Sequence, residues 1–190
     1  MGWKRKAALW LALAWSAALL CGCAVHDRAA EDDADLAESL FVSHLEQAHL
    51  LLKTVNGDAC AAEDFSAVRS EAALAEGMTL HLAAAQDMAA RREGFLPDAL
   101  AEALAAYYDA YERYLGVLAR YVQNCDGPSD QTRAAMAQLD RRLSERFPIS
   151  GALPDPGSAA EQMVLTHLEN AAQAMLRAAE ILQAELPEGV

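Results

Sequence analysis

Leu100, Leu104, Tyr107, Tyr111, Tyr114, Leu118, Tyr121 and Cys125 follow one another in alternating steps of four and three. That spacing draws a single apolar stripe along an α-helix and is the seam of a helix packed lengthwise against others. Tyr108, Leu115 and Val122 widen the stripe, and Glu102, Asp109, Glu112, Arg113 and Arg120 fall off it. The same rhythm recurs at Phe41, Leu45, Ala48, Leu52 and Val55, and again at Val164, Leu168, Ala171, Met175, Ala178 and Leu182.

Turn-forming residues separate these stretches at Asn56-Gly57-Asp58, Gly94-Phe95-Leu96-Pro97, Asp126-Gly127-Pro128 and from Pro148 to Ser158. The segments between them contain no proline, are rich in Ala, Leu, Glu, Gln and Arg, and are poor in β-branched residues. They predict five helices, at about 35–56, 59–93, 97–125, 129–147 and 158–186. Short connections make successive helices antiparallel neighbours. The expected fold is therefore all-α: an up-and-down helical bundle of four long helices plus one shorter helix, occupying residues 35–187. Abundant alanine lets such helices approach closely. Gly77 and Gly116 fall mid-helix, where glycine costs about 1 kcal/mol relative to alanine, and are expected at close crossings or a ligand notch.

The N-terminus has a different design. Lys4, Arg5 and Lys6 precede an apolar run from Ala7 to Leu20, the layout of a secretory signal. The run is shorter than the roughly 20 residues of a membrane-spanning helix, although counting on to Val25 brings it close. Leu20-Cys21-Gly22-Cys23 resembles the bacterial lipobox, with Leu three positions before the cut, Gly just before it and Cys just after. Cys21, with bulky Leu20 before it, fits less well. The resemblance implies a signal peptide at 1–22 and a lipoprotein whose Cys23 is acylated, with palmitate among its chains, as a membrane anchor. In a Gram-negative cell Ala24 after that Cys implies the periplasmic face of the outer membrane. Each buried acyl methylene contributes about 0.8 kcal/mol, so several chains hold a domain without a spanning helix. Residues 23–34 read as a polar tether reaching at most about 40 Å.

Removing residues 1–22 takes three basic residues and no acids, leaving 12 Lys and Arg against 28 Asp and Glu, a net charge of −16. Phosphate recognition needs clustered cations, so nucleic acid and anionic headgroups are poor partners for this domain. Cys60 and Cys125 are the pair left after processing. In an oxidising envelope they suggest a disulfide joining the same end of the bundle.

The histidines raise a second possibility. Laying Asp35 on Ser158 aligns FVSHLEQA with VLTHLENA, so His44 and His167 stand at one height if their helices run the same way. Two facing imidazoles could ligate a metal or haem iron. His81 and Met78 share a stripe with Leu74, Ala85 and Met88 and offer a soft copper site, although core packing is the simpler account of it. His49 reads as a surface residue and His26 as part of the tether. There is no pair of ExxH motifs of the di-iron type, and no CxxCH, nucleophile elbow, phosphate loop or zincin helix. The tyrosines of the third helix read as buried packing groups whose hydroxyls find acceptors across the seam. The expectation is a non-enzymatic envelope lipoprotein without a cofactor, acting on a neighbouring protein or small ligand. A metal- or haem-binding bundle is the alternative.

Overall fold

The computed structural model describes residues 32–70, 72, 95–145, 149 and 153–187. All regular structure among them is helical: α1 (Asp32–Ala61), α2 (Asp98–Asn124), α3 (Asp130–Leu143) and α4 (Ala159–Ala184). The chain divides into two compact units, residues 1–36 and 37–190. The first contributes only the opening residues of α1 to the described set, and the core belongs to the second.

Every apolar position of the three seams is buried, from Phe41, Leu45 and Leu52 in α1 through Leu104, Tyr114 and Leu118 in α2 to Leu168, Met175 and Leu182 in α4. Cys125, at the end of the α2 stripe, is half-buried. Glu102, Asp109, Glu112, Arg113 and Arg120 are exposed, as their positions off the stripe require. Met136, Leu139 and Leu143 supply the inward face of the shorter α3.

Side-chain hydrogen bonds fix the helix directions. Tyr107 of α2 meets His49 of α1, and Tyr114 meets Asn56, seven residues on along both helices, so α1 and α2 run the same way. Contacts to α3 descend as α1 ascends: Leu143 faces His49, Met136 faces Asn56 and Arg133 faces Cys60, so α3 runs opposite to α1. His167 lies beside His49, while Glu185, after α4, reaches Tyr121 near the end of α2. The chain direction of α4 is thus that of α1 and α2.

The helix ends follow the local chemistry. Ser158 caps α4 by accepting from the Glu161 amide at 3.1 Å, and the Glu161 carboxylate reaches back to the Gly157 N–H at 2.6 Å. Together the two side chains satisfy backbone donors at the start of α4. Ser129 caps α3 in the same way through Thr132. α1 begins at Asp32, ahead of the stretch that aligns with the start of α4. Glu38 accepts from the Leu153 amide, tying the α3–α4 connection to α1.

The largest departure is at Asn56-Gly57-Asp58, where a turn was expected and α1 runs straight through to Ala61. Asn56 is fully buried, its amide donating to the Met136 carbonyl and its oxygen accepting from Tyr114. Engaged across the core, this side chain does not turn back on its own backbone as Asn does in an isolated turn. A Cβ built on Gly57 would stand 3.6 Å from Asp140 Oδ1, an ordinary van der Waals distance. The break comes at 62–68, where Asp64 accepts the Ser66 amide at 2.8 Å. Arg133 closes the helix end by donating to the carbonyls of Cys60 and Ala62 at 2.5 and 3.0 Å, which satisfies acceptors that a helix C-terminus leaves open. Of the helix expected at 59–93, the stretch from Ala73 to Arg92 lies outside the described residues, as does Gly77.

The loop after α1 docks on the loop after α2. Phe65 donates to the Asp126 carbonyl at 2.8 Å and packs edge-on against Tyr121. A Cβ on Gly127 would stand 2.6 Å from the Glu63 carbonyl oxygen, whereas one on Gly116 would meet nothing within 4 Å. Gly127 therefore marks a close approach and Gly116 does not. Gly116→Ala should raise the unfolding free energy by about 1 kcal/mol, and Gly127→Ala should lower it by about 1–3 kcal/mol. Urea unfolding of the two variants checks both signs.

Candidate functional site

The tyrosine stripe of α2 meets a second row of α1. Val42, Leu45, His49, Leu52, Asn56 and Ala59 also step by three and four, and all are buried. Into this row Tyr111 donates to the Ala48 carbonyl at 3.1 Å, Tyr114 donates to Asn56 at 2.5 Å, and Tyr107 lies 3.4 Å from His49 Nδ1. The phenols are raised above their ordinary range by burial, most strongly Tyr107 and Tyr114. They stay neutral donors and packing groups at physiological pH. Tyr108 is also buried, and its hydroxyl has no hydrogen-bond partner among the described residues.

His49 joins three helices. Its Nε2 lies 2.9 Å from the Leu143 carbonyl, which can only accept, so Nε2 carries the proton. Nδ1 is then the acceptor, and the Tyr107 hydroxyl donates to it. The His167 ring of α4 stands against it, with centroids 5.9 Å apart and planes tilted by 49°. Burial lowers the pKa of His49, the Leu143 carbonyl partly offsets this, and the neighbouring His167 and Lys53 lower it further. Burial also lowers His167, against an opposing pull from Glu145.

This arrangement corrects two expectations. His49 is a core residue, 6 % exposed, rather than a surface one. It is also the imidazole found beside His167. The alignment that put His44 level with His167 took the two helices to start flush, but α1 starts at Asp32 and the ring contact sets a register five residues away. Five residues amount to about 7.5 Å along a helix, and His44 is a half-buried residue of α1. Both nitrogens of His49 are already engaged, so metal ligation through this ring would require giving up one of those bonds. Among the described residues no three His, Cys, Asp or Glu side chains come together as a metal would need. His81 and Met78 lie outside the described residues, as do Cys23 and the rest of the signal segment.

Cys60 and Cys125 are both free thiols, and the bridge expected between them is not formed. Cys60 closes α1 instead of opening a second helix. The α1–α2 register puts it level with Leu118, seven residues or about 10 Å short of Cys125. A disulfide needs Cα atoms roughly 4.4–6.8 Å apart. The Cys60 thiol faces the Arg133 carbonyl at 3.6 Å, in a shallow groove with Gly57, Ala61, Ala134, Ala137, Asp140 and Arg141. Burial raises both thiols; Arg133 partly opposes this at Cys60, while Glu185 and Asp126 add to it at Cys125. Neither is an activated nucleophile, which requires the opposite shift.

Glu185 has no counterpart among the sequence expectations. Its carboxylate accepts from three hydroxyls, Ser129 at 2.6 Å, Thr132 at 2.7 Å and Tyr121 at 2.8 Å. The end of α4 is thereby fastened to the start of α3 and the end of α2. Burial alone would raise its pKa, but the three donors outweigh burial and hold the carboxyl below its usual range. The nearby N-terminus of α3 favours the same charge. His49 and Asn56 were legible as the second row of α1 at helical spacing; Glu185 carries no such signal, because the hydroxyls it binds come from two other helices.

Comparison with protein-family models, curated proteins and solved structures returns no match for this chain. Among the described residues no helix is long and apolar enough to cross a membrane.

Two variants probe these contacts. Tyr114→Phe leaves the buried Asn56 oxygen without its donor and should cost about 1–3 kcal/mol in urea unfolding. Glu185→Gln should be less stable than the parent at neutral pH. Because the folded pKa of Glu185 is depressed, its contribution is present above the unfolded value and lost as pH falls through the folded one. The gap between parent and Glu185→Gln should therefore narrow as unfolding is followed from pH 7 down to about pH 3.

Proposed function

We propose that this chain is a membrane-anchored lipoprotein of the bacterial cell envelope whose helical domain acts as a partner-binding or accessory module. The observation that carries this reading is Leu20-Cys21-Gly22-Cys23 behind a cationic start and an apolar run. Cleavage before Cys23 removes 1–22, and acylation of Cys23 supplies the anchor. In this reading residues 23–34 serve as a polar tether that reaches at most about 40 Å. The domain then works close to its membrane, and its net charge of −16 keeps it off anionic surfaces. In a diderm host the periplasmic face of the outer membrane is its place.

The domain is read here as an up-and-down bundle of four long helices and a shorter one. In support, α1 ends level with about residue 119 of α2, so a connection back to Asp98 spans about 30 Å along these parallel helices. A helix over the remaining second segment has that length. His49, Asn56 and the hydroxyls of Tyr107, Tyr111 and Tyr114 are engaged in holding helices together, and the thiols and phenols named above are pushed away from reactive forms. These features favour a binding role over catalysis, with a neighbouring envelope protein or a small ligand as partner.

The test is metabolic labelling with palmitate, combined with membrane fractionation, of the parent and of Cys23→Ala. The parent should incorporate label and sediment with membranes, and Cys23→Ala should do neither. A Cys23→Ala protein that still partitions with the membrane would overturn the anchor.

A further inference from the structure

We propose that His49 and His167 form an acid-operated seam: when the pair takes up protons, the N-terminal half of α4 separates from α1 while its C-terminal end stays fastened. The inference does not depend on acylation of Cys23, since it rests on contacts within the helical core.

The geometry supplies the device. Two imidazoles from different helices stand with centroids 5.9 Å apart, His49 almost wholly buried and His167 half-buried. The groups facing them from each described element are Tyr107 from α2, the Leu143 carbonyl and Glu145 from the end of α3, and Lys53 from α1 itself. Lys53 is a further cation. Glu145 is the one acid among these groups and is shared, since it pairs at 3.0 Å with Arg142 and is half exposed.

Protonation has a definite consequence at each atom. The incoming proton goes to Nδ1 of His49, so the Tyr107 hydroxyl must stop donating there. Nε2–H keeps the Leu143 carbonyl, and the C-terminal end of α3 favours a cation at that place. His49 thus remains on α3, and the group it repels is the ring of α4. The other end of α4 behaves differently. Glu185 stays ionised well below the pH at which imidazoles charge, and its three hydroxyl donors keep that end in place.

The sign agrees. Burial holds both imidazoles below the ordinary histidine range, so the unfolded or opened state binds more protons than the closed one. Closure is therefore complete above about pH 6.5 and is progressively lost as pH falls toward the lower folded values.

Amide hydrogen exchange of the purified protein at about pH 7.5 and about pH 5, corrected for intrinsic rates, tests the proposal. Protection across 164–172 should fall several-fold at the lower pH, with little change across 178–182. His167→Gln, which keeps a polar side chain but cannot charge, should abolish that difference. Unchanged protection at 164–172 in the parent, or an equal loss in His167→Gln, would overturn it. Should His167→Gln fail to fold, proton-detected titration of the parent decides: both rings titrating below 6.5 supports the seam, and either at or above 6.5 sinks it.

Discussion

The core depends on the phenol hydroxyls of α2 reaching polar acceptors on α1. Tyr107, Tyr111 and Tyr114 bury large aromatic surfaces, and each oxygen finds a partner at His49, Ala48 or Asn56. A buried hydroxyl without such a partner loses more than the hydrogen bond is worth, so the two helices are held in one register rather than merely pressed together. The same acceptor residues continue the network into α3, through Asn56 to Met136 and His49 to Leu143. One polar row thereby sets three helices at once.

Charge is distributed to complement this arrangement. Arg133, from the first part of α3, closes the carbonyl end of α1, while Glu185, just past α4, sits at the amide end of α3. Each places a side-chain charge where the helix dipole favours it. The two imidazoles are the exception, because they meet in a buried place where a positive charge is disfavoured by solvent exclusion and by each other. Stability and acid sensitivity are consequently located in different parts of α4, with the hydroxyl-bound carboxylate at one end and the imidazole pair toward the other.

The sequence by itself determined the helical class and the inward faces, since a period near 3.6 in side-chain polarity survives whatever the helices pack against. The seam residues of α1, α2 and α4, the cap at Ser158 and the exposed positions of α2 were all legible on that basis. The N-terminal signal and Cys23 are legible only as sequence. Tertiary structure alone decided that α1 continues through Asn56-Gly57, because Asn56 spends its hydrogen bonds on Tyr114 and Met136 instead of on a turn. It also decided that His49 stands against His167 and that the Cys60 and Cys125 thiols are free. Those outcomes depend on axial register between helices, and register is set by side-chain contacts from chain segments roughly 60 to 120 residues apart, which no local pattern encodes.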